Sequence, residues 1–150
     1  MGAFGGPLSC GWSGGLFATP CSVSVAQGGT QNFFLGAGPA HAGELYLLLG
    51  SASGTAPGIV LDGFLLPLNV FDPYFDVVAS QPNTPPLAQN FAPLDGSGAA
   101  TASFVLAAGS PAVLAGLQLH HAFLTLDTAS IPGAAVVSST SNAVSLELGP

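Results

Sequence analysis

The stretch SVSVAQGGTQNFFLGAGPAHAGELYLLL, residues 22–49, decides how this chain folds. Ser22–Ala26 alternates, placing Val23 and Val25 on one face, and Gln27-Gly28-Gly29 interrupts the run as a turn. Thr30–Leu35 then resumes as a strand. Gly36–Gly43 is a Gly/Pro/Ala loop, and Glu44–Leu49 is a nearly continuous apolar run that reads as a central strand.

The same grammar extends to the C-terminus. Ile59–Leu68 gives one or two strands around Asp62-Gly63, a hairpin-turn dipeptide. Phe71–Ser80 reads as a strand or one short helical turn. Gln81–Pro93 holds four prolines and reads as a long loop. Asp95–Gly98 is a tight turn into a strand over Ala99–Leu106, and Pro111–Ala115 is one helical turn. Leu117–Asp127, Ala134–Ser138 and Ala143–Leu148 complete the set. Strands spaced by roughly 8–14 residues with turn residues between them argue for an all-β fold. The expected architecture is an antiparallel β-sandwich, Greek-key or jelly-roll-like, over residues 22–150. Residues 1–21 form an irregular Gly-rich N-terminal arm carrying a disulfide loop.

Composition sets what the fold can do. The chain has no lysine or arginine, seven acidic side chains and three histidines, for a net charge of −7. Only 5% of residues are charged, against about 25% in an ordinary domain. Binding to nucleic acid and to anionic lipid depends on the missing cations, so both partners are excluded. Mean hydropathy is high at +0.61. Yet the richest run, Gly58–Phe71, is broken by Asp62, Pro67 and Asn69, and no membrane span is expected. A charge-poor, apolar surface favours association, so the expected partner is the chain itself.

Cys10 and Cys21 are the two cysteines. With no neighbouring His or acid and no C-x-x-C spacing, they read as a disulfide, which implies an extracytoplasmic setting. Met1 is followed by neither a basic segment nor an apolar core, so no signal peptide is visible and trimming or another export route is expected. In the arm, Phe4, Leu8, Trp12, Leu16 and Phe17 are spaced large apolar residues that either stay pinned or dock into a neighbouring subunit.

Gly11-Trp12-Ser13-Gly14-Gly15 matches the G-x-S-x-G nucleophile pattern, but no strand precedes it and no helix follows. His120 and His121 are adjacent on a strand and point to opposite faces, so they cannot share one ion. His41 lies in a loop able to approach one of them. Asp72 and Asp76, with Asp62, are candidate calcium ligands, although local capping accounts for Asp72 before Pro73. There is no Asn-x-Ser/Thr sequon. Ser80, Thr84, Ser138, Ser139 and Thr140 are candidate O-glycosylation sites.

Further runs carry a resemblance. They are AGPAHAG (37–43), YLLLGSASGTAPG (46–58), LPLN (66–69), LDG (94–96), AGLQLHHAF (115–123) and SNAVSL (141–146). Together they resemble a secreted β-domain of surface proteins in planctomycete-type bacteria, over roughly residues 22–148. Subunits of self-assembling extracellular filaments are a looser likeness. The resemblance implies a secreted domain for which no enzymatic role is established, here standing almost alone, which suggests that it is itself the assembling unit.

The sequence thus leads us to expect an extracellular structural subunit that assembles into a filament, tube or surface layer, with no catalytic site and no cofactor. The alternative is a secreted carbohydrate- or calcium-binding adhesion module, with Trp12, Tyr46 or Tyr74 as a sugar platform.

Overall fold

A computed structural model describes residues 10, 15–130 and 132–150. Its described residues form twelve strands and one α-helix. The strands are β1 (Leu16–Thr19), β2 (Ser22–Ser24), β3 (Gly29–Gly36), β4 (Leu45–Ser51), β5 (Ile59–Leu61) and β6 (Phe64–Leu66). They continue, after helix α1 (Pro73–Ser80), with β7 (Leu87–Ala88), β8 (Phe91–Pro93), β9 (Ala99–Leu106), β10 (Gln118–Asp127), β11 (Val136–Thr140) and β12 (Val144–Gly149).

Two sheets pack face to face. The first has the order β1-β3-β9-β7; the second runs β2-β12-β10-β4-β8, with β11 pairing the far half of β10. All ladders are antiparallel except β2 with β12, where Ser22 faces Glu147 and Val23 faces Leu148. The core follows from alternation. Leu16 and Ala18, Gln31, Phe33 and Leu35, and Ala102 and Phe104 point inward from the first sheet. Tyr46, Leu48, Leu119, Phe123, Val144, Leu146 and Leu148 are buried on the second.

The second sheet is covered on its outer side as well. Leu49, Ala122 and Leu124 alternate with core residues yet are buried, and the β5–β6 hairpin lies against β10 and β11. That accounts for the unbroken apolar run of β4, which sits between β10 and β8 as a central strand. Turn chemistry agrees: Asp62 (φ 51) and Gly63 (φ 88) form the hairpin turn between β5 and β6.

Three expectations need correction. Leu16–Thr19, placed in the irregular arm, is an edge strand paired with β3 from Leu16↔Leu35 to Thr19↔Asn32. The proline-rich loop contains β7 and β8. Phe71–Ser80 is neither strand nor single turn: α1 starts at Asp72, whose carboxylate accepts the Phe75 N–H at 2.9 Å, with Pro73 at the first helical position.

Candidate functional site

Cys10 and Cys21 form the disulfide, with Cα atoms 5.2 Å apart. It ties the arm to the corner where the chain passes from the first sheet to the second. Buried Gln31 seals that corner from inside, donating to the carbonyls of Pro20 (2.8 Å) and Ser145 (3.0 Å). Phe4, Leu8, Trp12 and Ser13 lie outside the described residues. Of the arm's other contact candidates, Leu16 is fully buried in its own core and cannot meet a neighbour. Phe17 faces outward and packs on Phe34, with ring centroids 5.7 Å apart.

Helix α1 brings the suspected chemistry together, but inside the protein. Tyr74 enters between the sheets, and its hydroxyl meets His121 Nε2 at 2.6 Å. The His121 ring sits among Phe33 and Phe104, at centroid distances of 5.0 and 5.9 Å. Burial, then the neighbouring His120, pushes the His121 pKa down to about 3, so the imidazole is neutral at pH 7. Burial and the Asp72 carboxylate push the Tyr74 hydroxyl up, so it keeps its proton. The other ring nitrogen, Nδ1, has no protein partner among the described residues.

Asp72 is the other half of this cluster. Burial raises its pKa, but bonds from the Phe75 N–H, Ser53, Ser51 and the Ala52 N–H outweigh it and hold the carboxyl below its usual value. The cluster fastens α1 to β4 through the Ser51 and Ser53 hydroxyls and the Ala52 N–H on the Asp72 carboxylate. Asp76 is exposed on the helix, and His120 points away from His121 on the opposite face of the strand. Among the described residues no three His, Cys, Asp or Glu side chains converge on a metal position. His41 pairs with Glu44 at 2.9 Å rather than with either strand histidine.

Tyr46 and Tyr74 are not surface platforms. Tyr46 is 2% exposed, its hydroxyl donating to the Gln89 carbonyl at 2.6 Å. The candidate glycosylation sites divide. Ser138 and Ser139 both bond Thr125 Oγ1, and Thr140 donates to the Leu65 carbonyl. Ser80 and Thr84 are exposed, donating to the Asp76 and Gln81 carbonyls.

The arrangement that sequence reasoning missed lies along the free strand edges. A sheet edge presents unpaired N–H and C=O groups that invite another strand, and lysine is a common guard. This chain has none, and short Asn and Asp side chains take that place. Asn142 clasps Leu16 of β1, accepting its N–H at 2.9 Å and donating to its carbonyl at 3.0 Å. Asn83 does the same to Phe91 of β8, at 3.1 and 3.0 Å. Asp95 accepts the Ala99 N–H of β9 through Oδ1, and its own N–H donates to the Ala99 carbonyl, both at 2.9 Å. Asp62 accepts the Val137 N–H of β11 at 2.9 Å. A carboxamide carries a donor and an acceptor side by side, as a peptide does, so one Asn substitutes for one residue of a missing strand.

Two of the open surfaces stand out. One is the outer face of the β5–β6 hairpin, where Val60 and Leu65 are cross-strand partners, 64% and 53% exposed. Phe71, 96% exposed, lines a hollow with Pro57 and Gly58 at the base of that hairpin. The other is a cleft between β8 and the start of β9. Fold and surface together define an all-β, sandwich-like domain with clasped edges. Comparison with family models, curated proteins and solved structures finds no match.

Proposed function

We propose that this domain is a secreted structural subunit that self-assembles into an extracellular filament, tube or surface layer, with copies meeting through side-chain faces rather than strand edges. The observation that carries this reading is the projecting apolar hairpin, Val60 and Leu65 beside Phe71, on a chain with no lysine or arginine. Carboxylates do not oppose such contacts strongly. Five of the seven (Glu44, Asp62, Asp72, Asp95 and Asp127) already take hydrogen bonds from their own chain. The disulfide suits an oxidising compartment, and no helix among the described residues is long and apolar enough to cross a membrane.

Strand addition is disfavoured at β1, at β8, at β11 and along the half of β9 that β7 does not cover, where a backbone group is already clasped. Burying Val60, Leu65 and Phe71 contributes at most about 1.5–3 kcal/mol each. Association itself costs roughly 4–15 kcal/mol, so one strip makes a weak contact and an assembly needs it repeated between neighbours.

Sedimentation velocity and electron microscopy test this on the full chain against Val60→Asp/Leu65→Asp, whose sites are already solvated. The wild type is expected to form concentration-dependent polymers and the double variant to stay monomeric. A wild-type chain that remains monomeric up to its solubility limit refutes the reading.

A further inference from the structure

The cleft between β8 and the first half of β9 has a volume of about 720 Å³, within the range of about 300–1,000 Å³ usual for small-ligand sites. It is lined by Phe34, Gln89, Pro93, Asp95 and Thr101, with Tyr46 also contributing. We propose that it binds a neutral saccharide. The inference does not depend on self-assembly: the cleft lies at β8 and β9, whereas the hairpin lies against β10 and β11.

Four observations converge on that ligand. Phe34 presents a ring that is 45% exposed, steadied by Phe17 on the same sheet face, an apolar platform for the C–H face of a sugar. Gln89 holds φ 58, a left-handed conformation uncommon for a residue that is neither Gly, Asn nor Asp. Its carbonyl is pinned by Tyr46, and strain of this kind gathers at binding sites. Asp95 uses Oδ1 for the Ser97 N–H, the Ser97 hydroxyl and the Ala99 N–H. Its Oδ2 takes no bond from the described residues and is free to accept from a ligand hydroxyl. Finally, no lysine or arginine exists to hold a phosphate, sulfate or carboxylate, so a neutral ligand fits and an anionic one does not.

A peptide strand is the competing occupant, and the walls argue against it. On β8 the Phe91 N–H and C=O are taken by Asn83, and Pro93 has no N–H to give. On β9 the Ala99 N–H and C=O are taken by Asp95. An added strand would find few backbone partners, and main-chain bonding is what strand addition depends on. A saccharide needs only the side chains: the Phe34 ring, the Gln89 carboxamide, Asp95 Oδ2 and the Thr101 hydroxyl.

The test is a printed array of neutral gluco-, manno-, galacto-, xylo- and chito-oligosaccharides, with an immobilised Gly-Ser peptide alongside. It is probed with the wild type, Phe34→Ala and Gln89→Gly. Gln89→Gly removes the side chain and suits the left-handed backbone, so its melting temperature should match or exceed the wild type's and loss of binding cannot be blamed on unfolding. The expected result is saturable retention on one sugar class, reduced at least tenfold in both variants. Retention of no sugar, equal retention by wild type and variants, or retention of the peptide instead would each overturn the proposal.

Discussion

Asn142→Ala removes the clasp on β1 and measures what it holds. The two short Asn142 side-chain bonds go to the backbone of Leu16, which is fully buried, at 2.9 and 3.0 Å. Truncation leaves one N–H and one C=O without partners. Each costs about 1–3 kcal/mol if water cannot reach it. Because β1 is an edge strand some water will, so the lower part of that range applies and the expected loss is about 2–3 kcal/mol. For a domain of this size that lowers the melting temperature by roughly 4–12 °C. Urea unfolding followed by circular dichroism reads the change as a lower midpoint at constant slope. Asn142→Asp sharpens the reasoning: it keeps an acceptor for the Leu16 N–H but sets a second oxygen against the Leu16 carbonyl. At neutral pH it should be no better than alanine. Asn83→Gly is the contrast, since its clasp on Phe91 is solvent-exposed and glycine suits its φ of 62. It should cost no more than about 1 kcal/mol while promoting edge-to-edge aggregation visible by light scattering. An Asn142→Ala protein within about 0.5 kcal/mol of wild type would refute the view that these amides replace missing strands.

Stability should fall on acidification well before carboxylates titrate. His121 has a folded pKa of about 3 against an ordinary 6.5, so the unfolded chain binds the extra proton and stability is lost as pH drops from 6.5 towards 3. Urea midpoints from pH 7.5 to 4 should show this slope, and His121→Leu should flatten it; an unchanged slope counts against His121 as the source. Asp72, held below its usual pKa once its hydrogen bonds outweigh burial, adds a further loss as pH falls below about 4. Reducing Cys10–Cys21, or replacing both by Ser, should cost about 2–3 kcal/mol on the chain-entropy picture, seen as a lower unfolding midpoint; no change would mean that Gln31 and the β2–β12 ladder hold the corner unaided. Raising NaCl from 50 to 500 mM at pH 7 should leave the melting temperature unchanged or slightly higher. With no lysine or arginine there is no ion pair of that kind for salt to weaken, while self-repulsion of seven acids is relieved. A clear fall would contradict that.

The strands legible in the sequence were those with a long alternating or apolar run between turn residues. Ala99–Leu106 is predicted to the residue, and the Asp62-Gly63 hairpin emerges where the dipeptide places it. What escaped was short or mixed in signal. Strand β1 has four residues and β7 has two, too few for a period to show, and each exists because a neighbour in another part of the chain pairs with it. Helix α1 carried a readable start in Asp72-Pro73, but its Tyr, Phe and two Val residues favour strands and masked it. The clasps were invisible for a deeper reason. Asn142 reaches Leu16 from 126 positions away, so no local pattern marks it. The cleft was hidden similarly, because Phe34, Gln89 and Asp95 come from three separate segments. Tyr46 and Tyr74 were misassigned to the surface because a hydroxyl group does not say which way its ring faces.

The parallel pairing of β2 with β12 has a mechanical consequence. It joins the strand that follows the arm to the strand that ends the domain, with Ser22 beside Glu147. If neighbours in a fibre pull on the arm and on the C-terminus, the load runs along these two strands in opposite directions. Their hydrogen bonds are then sheared together rather than unzipped singly. The Cys10–Cys21 bond carries tension straight to the start of β2, so β1 is bypassed by the force. Single-molecule stretching should accordingly show one high rupture peak, and reduction should add an earlier extension as β1 peels away.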